Sequence, residues 1–148
     1  MIRYPMTFDV QSEAQPGIQS TWKAGPHSTN QDLDAFTVAI PPEFEGPGGG
    51  YSPEDFYALA LANCFIATFK VFAEKSKISF SSLVGEGKLT VDRDDKSAPW
   101  MKSFHLKVSL FGVVDPERTL RLLEKTASSC MILNSVKTEK TFEFNLNH

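Results

Sequence analysis

The chain is poor in the residues that most often announce a chemistry. It has two cysteines and three histidines among 148 residues. The histidines (His27, His105 and His148) are scattered without metal-ligand spacing, and two cysteines 66 positions apart make no zinc knuckle. A formal net charge of -3 gives no electrostatic reason to expect nucleic acid or an anionic membrane as partner. The opening M-I-R-Y-P-M-T-F-D-V has no apolar h-region. The expectation is a cytoplasmic chain, in which a permanent structural disulfide is not favoured. There is no internal repeat and no phosphate-cradling motif. The four arginines are Arg3, Arg93, Arg118 and Arg121, so none lies between Tyr4 and Asp92.

What is present is a globular composition, 41% hydrophobic and 22% charged, of a length that suits a single domain over 1–148. Residues Met6 to Val10 and Ala35 to Ile40 read as short strands, with a possible hairpin around Ile18 to Lys23 between them. Pro41 to Tyr51 holds three prolines and four glycines and reads as a loop without regular structure. Its Gly48-Gly49-Gly50 could hold an anion before the helix, but reads as a flexible connection instead. S-P-E-D then opens a helix. Ser52 is the N-cap, Pro53 takes the first position, and Asp55 stands where a capping-box acid would. That helix runs to about Glu74. From Phe56 to Ala73 only Asn63, Thr68 and Lys70 are clearly polar, so it must be covered on every side. Lys70 within the run and the acidic flank oppose a membrane span.

Two strands follow, Ser81 to Asp94 and Met101 to Val113. In the second, Phe104, Leu106, Val108 and Leu110 share one face and Ser103, His105, Lys107 and Ser109 the other. His105 is therefore a solvated residue. D-P-E-R starts a second helix with Asp115 as N-cap, amphipathic through Leu120, Leu123, Ala127, Cys130 and Met131. Thr141 to Leu146 reads as a last strand. The plan is α+β: antiparallel β-sheets packed around a long buried central helix and a second amphipathic helix. One short chain cannot readily bury such a central helix, which points to a partner subunit.

Cys64 and Cys130 both fall on apolar helix positions. Buried free cysteine usually acts as a small hydrophobe, so the pair is either inert packing or a redox couple. Glu54, ten residues before Cys64, needs no function beyond compensating the helix dipole. On one continuous helix, Glu54 and Cys64 are separated by about 15 Å of rise. They can serve one site only if the helix breaks or the glutamate comes from another subunit.

The segment S-P-E-D-F-Y-A-L-A-L-A-N-C-F resembles the central-helix motif of the OsmC/Ohr family, the osmotically inducible and organic hydroperoxide resistance proteins. Pro53-Glu54 and Cys64-Phe65 match its Pro-Glu and Cys-Phe elements, and Cys130 with Asn134-Ser135 resembles its second cysteine and the polar run after it. The resemblance implies an intertwined homodimer acting as a thiol-dependent peroxidase on organic hydroperoxides, with no cofactor and no metal. By position, Cys64 would attack the peroxide, Cys130 would resolve the sulfenic acid, and Glu54 would orient a cation. The implied reductant is a dithiol such as a dihydrolipoyl group; no nucleic acid or membrane partner is implied. The chain departs from the family in two places. The activating arginine is missing before the glutamate, where Glu43 or Trp22-Lys23 stands instead, and Met131 replaces the proline that follows the second cysteine. Lys23 could supply a charge but not the planar, two-pronged hydrogen bonding of a guanidinium. The alternative function is therefore a small-molecule-binding or redox-sensing dimer without efficient turnover, and the plainest alternative is a dimeric scaffold with inert thiols.

Overall fold

The computed structural model describes residues 3–26 and 33–148; His27 lies outside the described residues. The backbone forms two compact units, Met1–Phe56 and Tyr57–His148.

The N-terminal unit holds a three-stranded antiparallel sheet of β1 (Val10–Glu13), β2 (Trp22–Pro26) and β3 (Phe36–Val38), in that spatial order. The first strand lies further along than its apolar alternation suggests. Met6, Phe8 and Val10 are all exposed, so burial does not fix the strand; pairing of Val10–Glu13 with Pro26–Lys23 does. The residues around Ile18 form the connection of this hairpin rather than its strand. The Pro- and Gly-rich loop is more ordered than its composition suggests. Pro42–Phe44 makes one 3-10 turn, and the loop returns to β3, where the Tyr51 N–H donates to Thr37 O (2.9 Å) and the Ala39 N–H to Tyr51 O (3.0 Å). Phe36, Tyr51 and Phe56 gather there with ring centroids 5.5 to 5.7 Å apart.

Helix α1 (Pro53–Lys75) begins with the capping box read from the sequence. The Asp55 N–H donates to Ser52 Oγ (3.0 Å) and the Ser52 N–H to Asp55 Oδ2 (2.9 Å), satisfying two backbone donors.

The C-terminal unit is built on β4 (Ser82–Arg93), β5 (Pro99–Phe111) and β6 (Glu139–Leu146), with α2 (Pro116–Ser129) between β5 and β6. β4 and β5 are antiparallel, as expected, but β6 runs parallel to β5. The reason is α2: a parallel neighbour needs a crossover, and the helix supplies it as a β-α-β unit. Phe104, Leu106, Val108 and Leu110 are all fully buried, and His105 on the other face is exposed, its Nδ1 2.7 Å from Thr141 Oγ1. Leu61, Phe65, Phe69 and Ala73 bury one face of α1 in the same core, where Phe65 stacks on Phe142 and Phe144 at 5.6 and 5.9 Å. The rest of α1 is left uncovered by the chain itself, in keeping with the expectation that one short chain cannot bury it. Leu59 and Val71 are 45% and 49% exposed, and Ala60, Asn63, Ala67 and Lys70 share that open side.

The buried stripe of α2 is also rotated from the expected one. Thr119, Leu122, Leu123, Thr126 and Cys130 are buried, whereas Leu120 and Met131 are exposed. Threonine is tolerated inside because its hydroxyl is satisfied locally. Thr119 Oγ1 donates to Asp115 O (2.6 Å) and Thr126 Oγ1 to Leu122 O (2.7 Å). The cap is as read, with Asp115 accepting from the Arg118 N–H. Three contacts set the direction of α2 along α1. Arg118 Nη2 donates to Ser76 O (2.9 Å), Lys125 Nζ lies 4.9 Å from the Phe72 ring centre, and Cys130 meets Cys64. The two helices therefore run antiparallel.

The helix-facing side of β4 is thinned by Gly85 and Gly87. A Cβ on Gly87 would lie 2.8 Å from two carbons of the buried Phe104 ring; one on Gly85 would come no nearer than 3.3 Å to the tip of Ile66 and 3.8 Å to Leu106. Gly87→Ala should thus destabilise by about 1–3 kcal/mol through overpacking, and Gly85→Ala by less. Urea unfolding of the reduced chain measures both; equal, negligible effects would show that the Phe104 ring moves aside freely.

Candidate active site

Cys64 lies in the fourth turn of α1 and Cys130 at the C-cap of α2, where its N–H donates to Thr126 O (3.1 Å). The antiparallel helices bring these positions together. The two sulfurs are joined as a disulfide, with Cα atoms 6.2 Å apart, well within the ordinary range. Cys130 is fully buried and Cys64 partly so, among apolar core residues. Beside the pair the chain turns outward. Met131 is 71% and Ile132 37% exposed, so one side of the site has an apolar rim open to solvent.

The turn that follows Cys130 is closely tied. Leu133–Ser135 forms a 3-10 turn. The Asn134 N–H donates to Cys130 O and the Ser135 N–H to Ile132 O, both at 3.0 Å. Asn134 Nδ2 donates to Ser128 O (3.0 Å) and Ser135 Oγ to Met131 O (2.8 Å), which gives the Asn-Ser pair of the sequence a physical role. From β6, the Lys140 ammonium donates to Leu133 O (2.7 Å) and Val136 O (3.0 Å). Nearby, the Tyr57 and Thr138 hydroxyls are 2.5 Å apart. The Ile132 N–H points at Cys64 Sγ, 3.4 Å away. Sequence reasoning missed this donor and Lys140. A backbone N–H has no side-chain signature, and only the Asn134-Ser135 run hinted at a structured turn there.

The other two candidate residues belong to the N-terminal unit. Lys23 on β2 donates to Thr37 Oγ1 of its cross-strand partner (2.6 Å). Glu54 sits in the first turn of α1, and its Oε2 is buried without a hydrogen-bond partner among the described residues. A buried carboxylate oxygen in that state calls for a donor. Helix α1 is unbroken from Pro53 to Lys75.

Chemically, a Cα separation of 6.2 Å suits two cysteines that join as a disulfide. Mid-helix Cys64 gains nothing from a helix N-terminus, and the C-terminal end of α2 disfavours a thiolate at Cys130.

Known proteins agree with this architecture. The OsmC-like protein family model matches residues 46–145, more than half of the chain. The uncharacterized protein YmaD of Bacillus subtilis (strain 168) is 27% identical over 105 residues, covering 68% of this chain and 70% of that one. An OsmC-like protein of unknown function from Vibrio cholerae has the same fold, with a TM-score of 0.80 at 15% identity over 95% of this chain and 99% of that one. An organic hydroperoxide resistance protein, OsmC, from Legionella pneumophila has a TM-score of 0.72 at 18% identity, over 99% and 100% of the two chains. With the family model spanning both cysteines and the whole of both helices, the chain belongs to the OsmC-like protein family.

Proposed function

We propose that this protein is a thiol-dependent peroxidase that reduces organic hydroperoxides through Cys64 and Cys130. The observation that carries the reading is the pair itself: two cysteines 66 residues apart, bonded to each other beside an exposed apolar rim. The Cys64 thiolate attacks the terminal peroxide oxygen, forming the sulfenic acid as the O–O bond breaks and the alkoxide leaves to take a proton. The Cys130 sulfur then attacks Cys64 Sγ and expels the hydroxyl as water, which closes the disulfide. A dithiol reductant such as a dihydrolipoyl group restores both thiols and is itself oxidised to the disulfide. The balance is hydroperoxide plus dithiol giving alcohol, water and disulfide.

Several features support the assignment. Cys130 is buried at a helix C-terminus, which suits a resolving thiol better than an attacking one. The rim of Met131 and Ile132 favours an organic peroxide over hydrogen peroxide. The Legionella relative named for organic hydroperoxide resistance shares the fold. The open side of α1, with Leu59 and Val71, supports an intertwined homodimer in a single 1–148 domain. In that assembly Glu54 and Lys23 enter as the acid and the cation supplied by a second copy of the chain. We place the cycle in the cytoplasm, where dithiol reductants operate. The second reading, a redox-sensing or small-molecule-binding dimer without efficient turnover, is favoured by the lack of any arginine between Tyr4 and Asp92.

One equivalent of cumene hydroperoxide should consume both thiols of the reduced chain, measured by stopped flow, faster than hydrogen peroxide does. In Cys130→Ser the same reagent should leave a dimedone-reactive sulfenic acid at Cys64. Thiols that stay inert until the protein is unfolded would remove the peroxidase reading in favour of a scaffold. Sedimentation should give twice the 16.4 kDa chain mass, and a stable species of that single mass would end the dimer proposal.

A further inference from the structure

The turn after Cys130 does more than carry the second thiol. We infer that it supplies the activating donor for the first: the Ile132 backbone N–H, held in place by the Lys140 ammonium, stabilises the Cys64 thiolate. This inference rests on Cys64 being the attacking thiol. In the disulfide, Cys64 Sγ stands in for the thiolate sulfur, and the Ile132 N–H lies 3.4 Å from it. What fixes that N–H is independent of the sulfur–sulfur bond. The Asn134 and Ser135 amides, the Asn134 and Ser135 side chains and the two Lys140 hydrogen bonds all tie backbone to backbone or side chain to backbone. Reduction breaks none of them, so the donor stays aimed at the sulfur when it becomes a thiolate. A hydrogen bond to a charged acceptor is stronger than one to a neutral acceptor, so it favours ionisation of the thiol.

The other ionisable groups on the surrounding elements do not take this role. On α1, Lys70 is exposed and the Tyr57 hydroxyl is engaged with Thr138. On α2, Glu124 is exposed and the Lys125 ammonium lies over the Phe72 ring. Lys137 and Glu139 are exposed. The Lys140 ammonium is committed to two carbonyls, which makes it a positioning residue rather than the donor.

The test is the pH profile of iodoacetamide alkylation at Cys64, read by peptide mass spectrometry on the reduced full-length chain. Replacing the residue 132 amide by an ester, through semisynthesis with the α-hydroxy analogue of isoleucine, removes the N–H and keeps every side chain; Ser135→Ala, which removes the donor to Met131 O, controls for the weaker ester carbonyl. It should raise the apparent pKa of Cys64 by about one, a tenfold loss of thiolate at neutral pH. Lys140→Met should move the profile the same way, and Lys140→Arg should restore it. In the unsubstituted reduced protein, the Ile132 amide proton should shift in NMR spectra with the same pKa as alkylation. An unchanged profile in the ester protein, or an Ile132 resonance that ignores the titration, overturns the inference. Hydroperoxide turnover is measured separately. A shifted profile without turnover supports this donor while removing the peroxidase reading; turnover with an unshifted profile removes this donor alone.

Discussion

Helix α1 carries more apolar surface than one face of one sheet can cover, and much of the structure answers to that excess. Its buried side takes Leu61, Phe65, Phe69 and Ala73 into the core against β5 and β6. Close approach requires a bare patch on β4, which Gly85 and Gly87 provide. Helix α2 then lies antiparallel along α1, and that direction brings Cys130 at one helix end onto Cys64 in the middle of the other. The thiol pair is thus a product of how the helix is covered. The fold places it before any group is recruited to make it react.

How much of this could be read in the sequence depended on whether the signal was local. The Ser52–Asp55 capping box, the Asp115 cap and the buried face of β5 each rest on residues a few positions apart, and each stands as read. The parallel pairing of β6 depends on a crossover, which no short window contains. The rotation of the α2 stripe depends on Thr119 and Thr126 hiding their hydroxyls in their own helix, which hydropathy counts as polar. At the site, Cys64 and Cys130 were legible from their spacing and their meeting is seen in the structure. Glu54 and Lys23 were legible as residue types; the structure places both in the N-terminal unit, and a role for either belongs to the proposal alone.

The electrostatic problem at the site is plain. A thiol in an apolar setting resists ionisation, and the residue that would ordinarily counter this is absent between Tyr4 and Asp92. The chain contains a different kind of donor near the sulfur, a backbone N–H held by a turn that a buried-side lysine pins from β6. Such a donor brings direction but no net charge, so it stabilises a thiolate less than a guanidinium would.

A donor that belongs to the backbone also evolves differently from a side chain. Position 132 can drift among nearly all residue types and keep its N–H, so the group leaves no recognisable column in a comparison of relatives. Its trace is a prohibition: proline is the one residue that deletes the donor outright. A proline one position earlier, at Met131, would leave the Ile132 N–H in place. A relative with proline at the position of Ile132 would therefore lack this donor, whatever residue stands where the arginine is missing here.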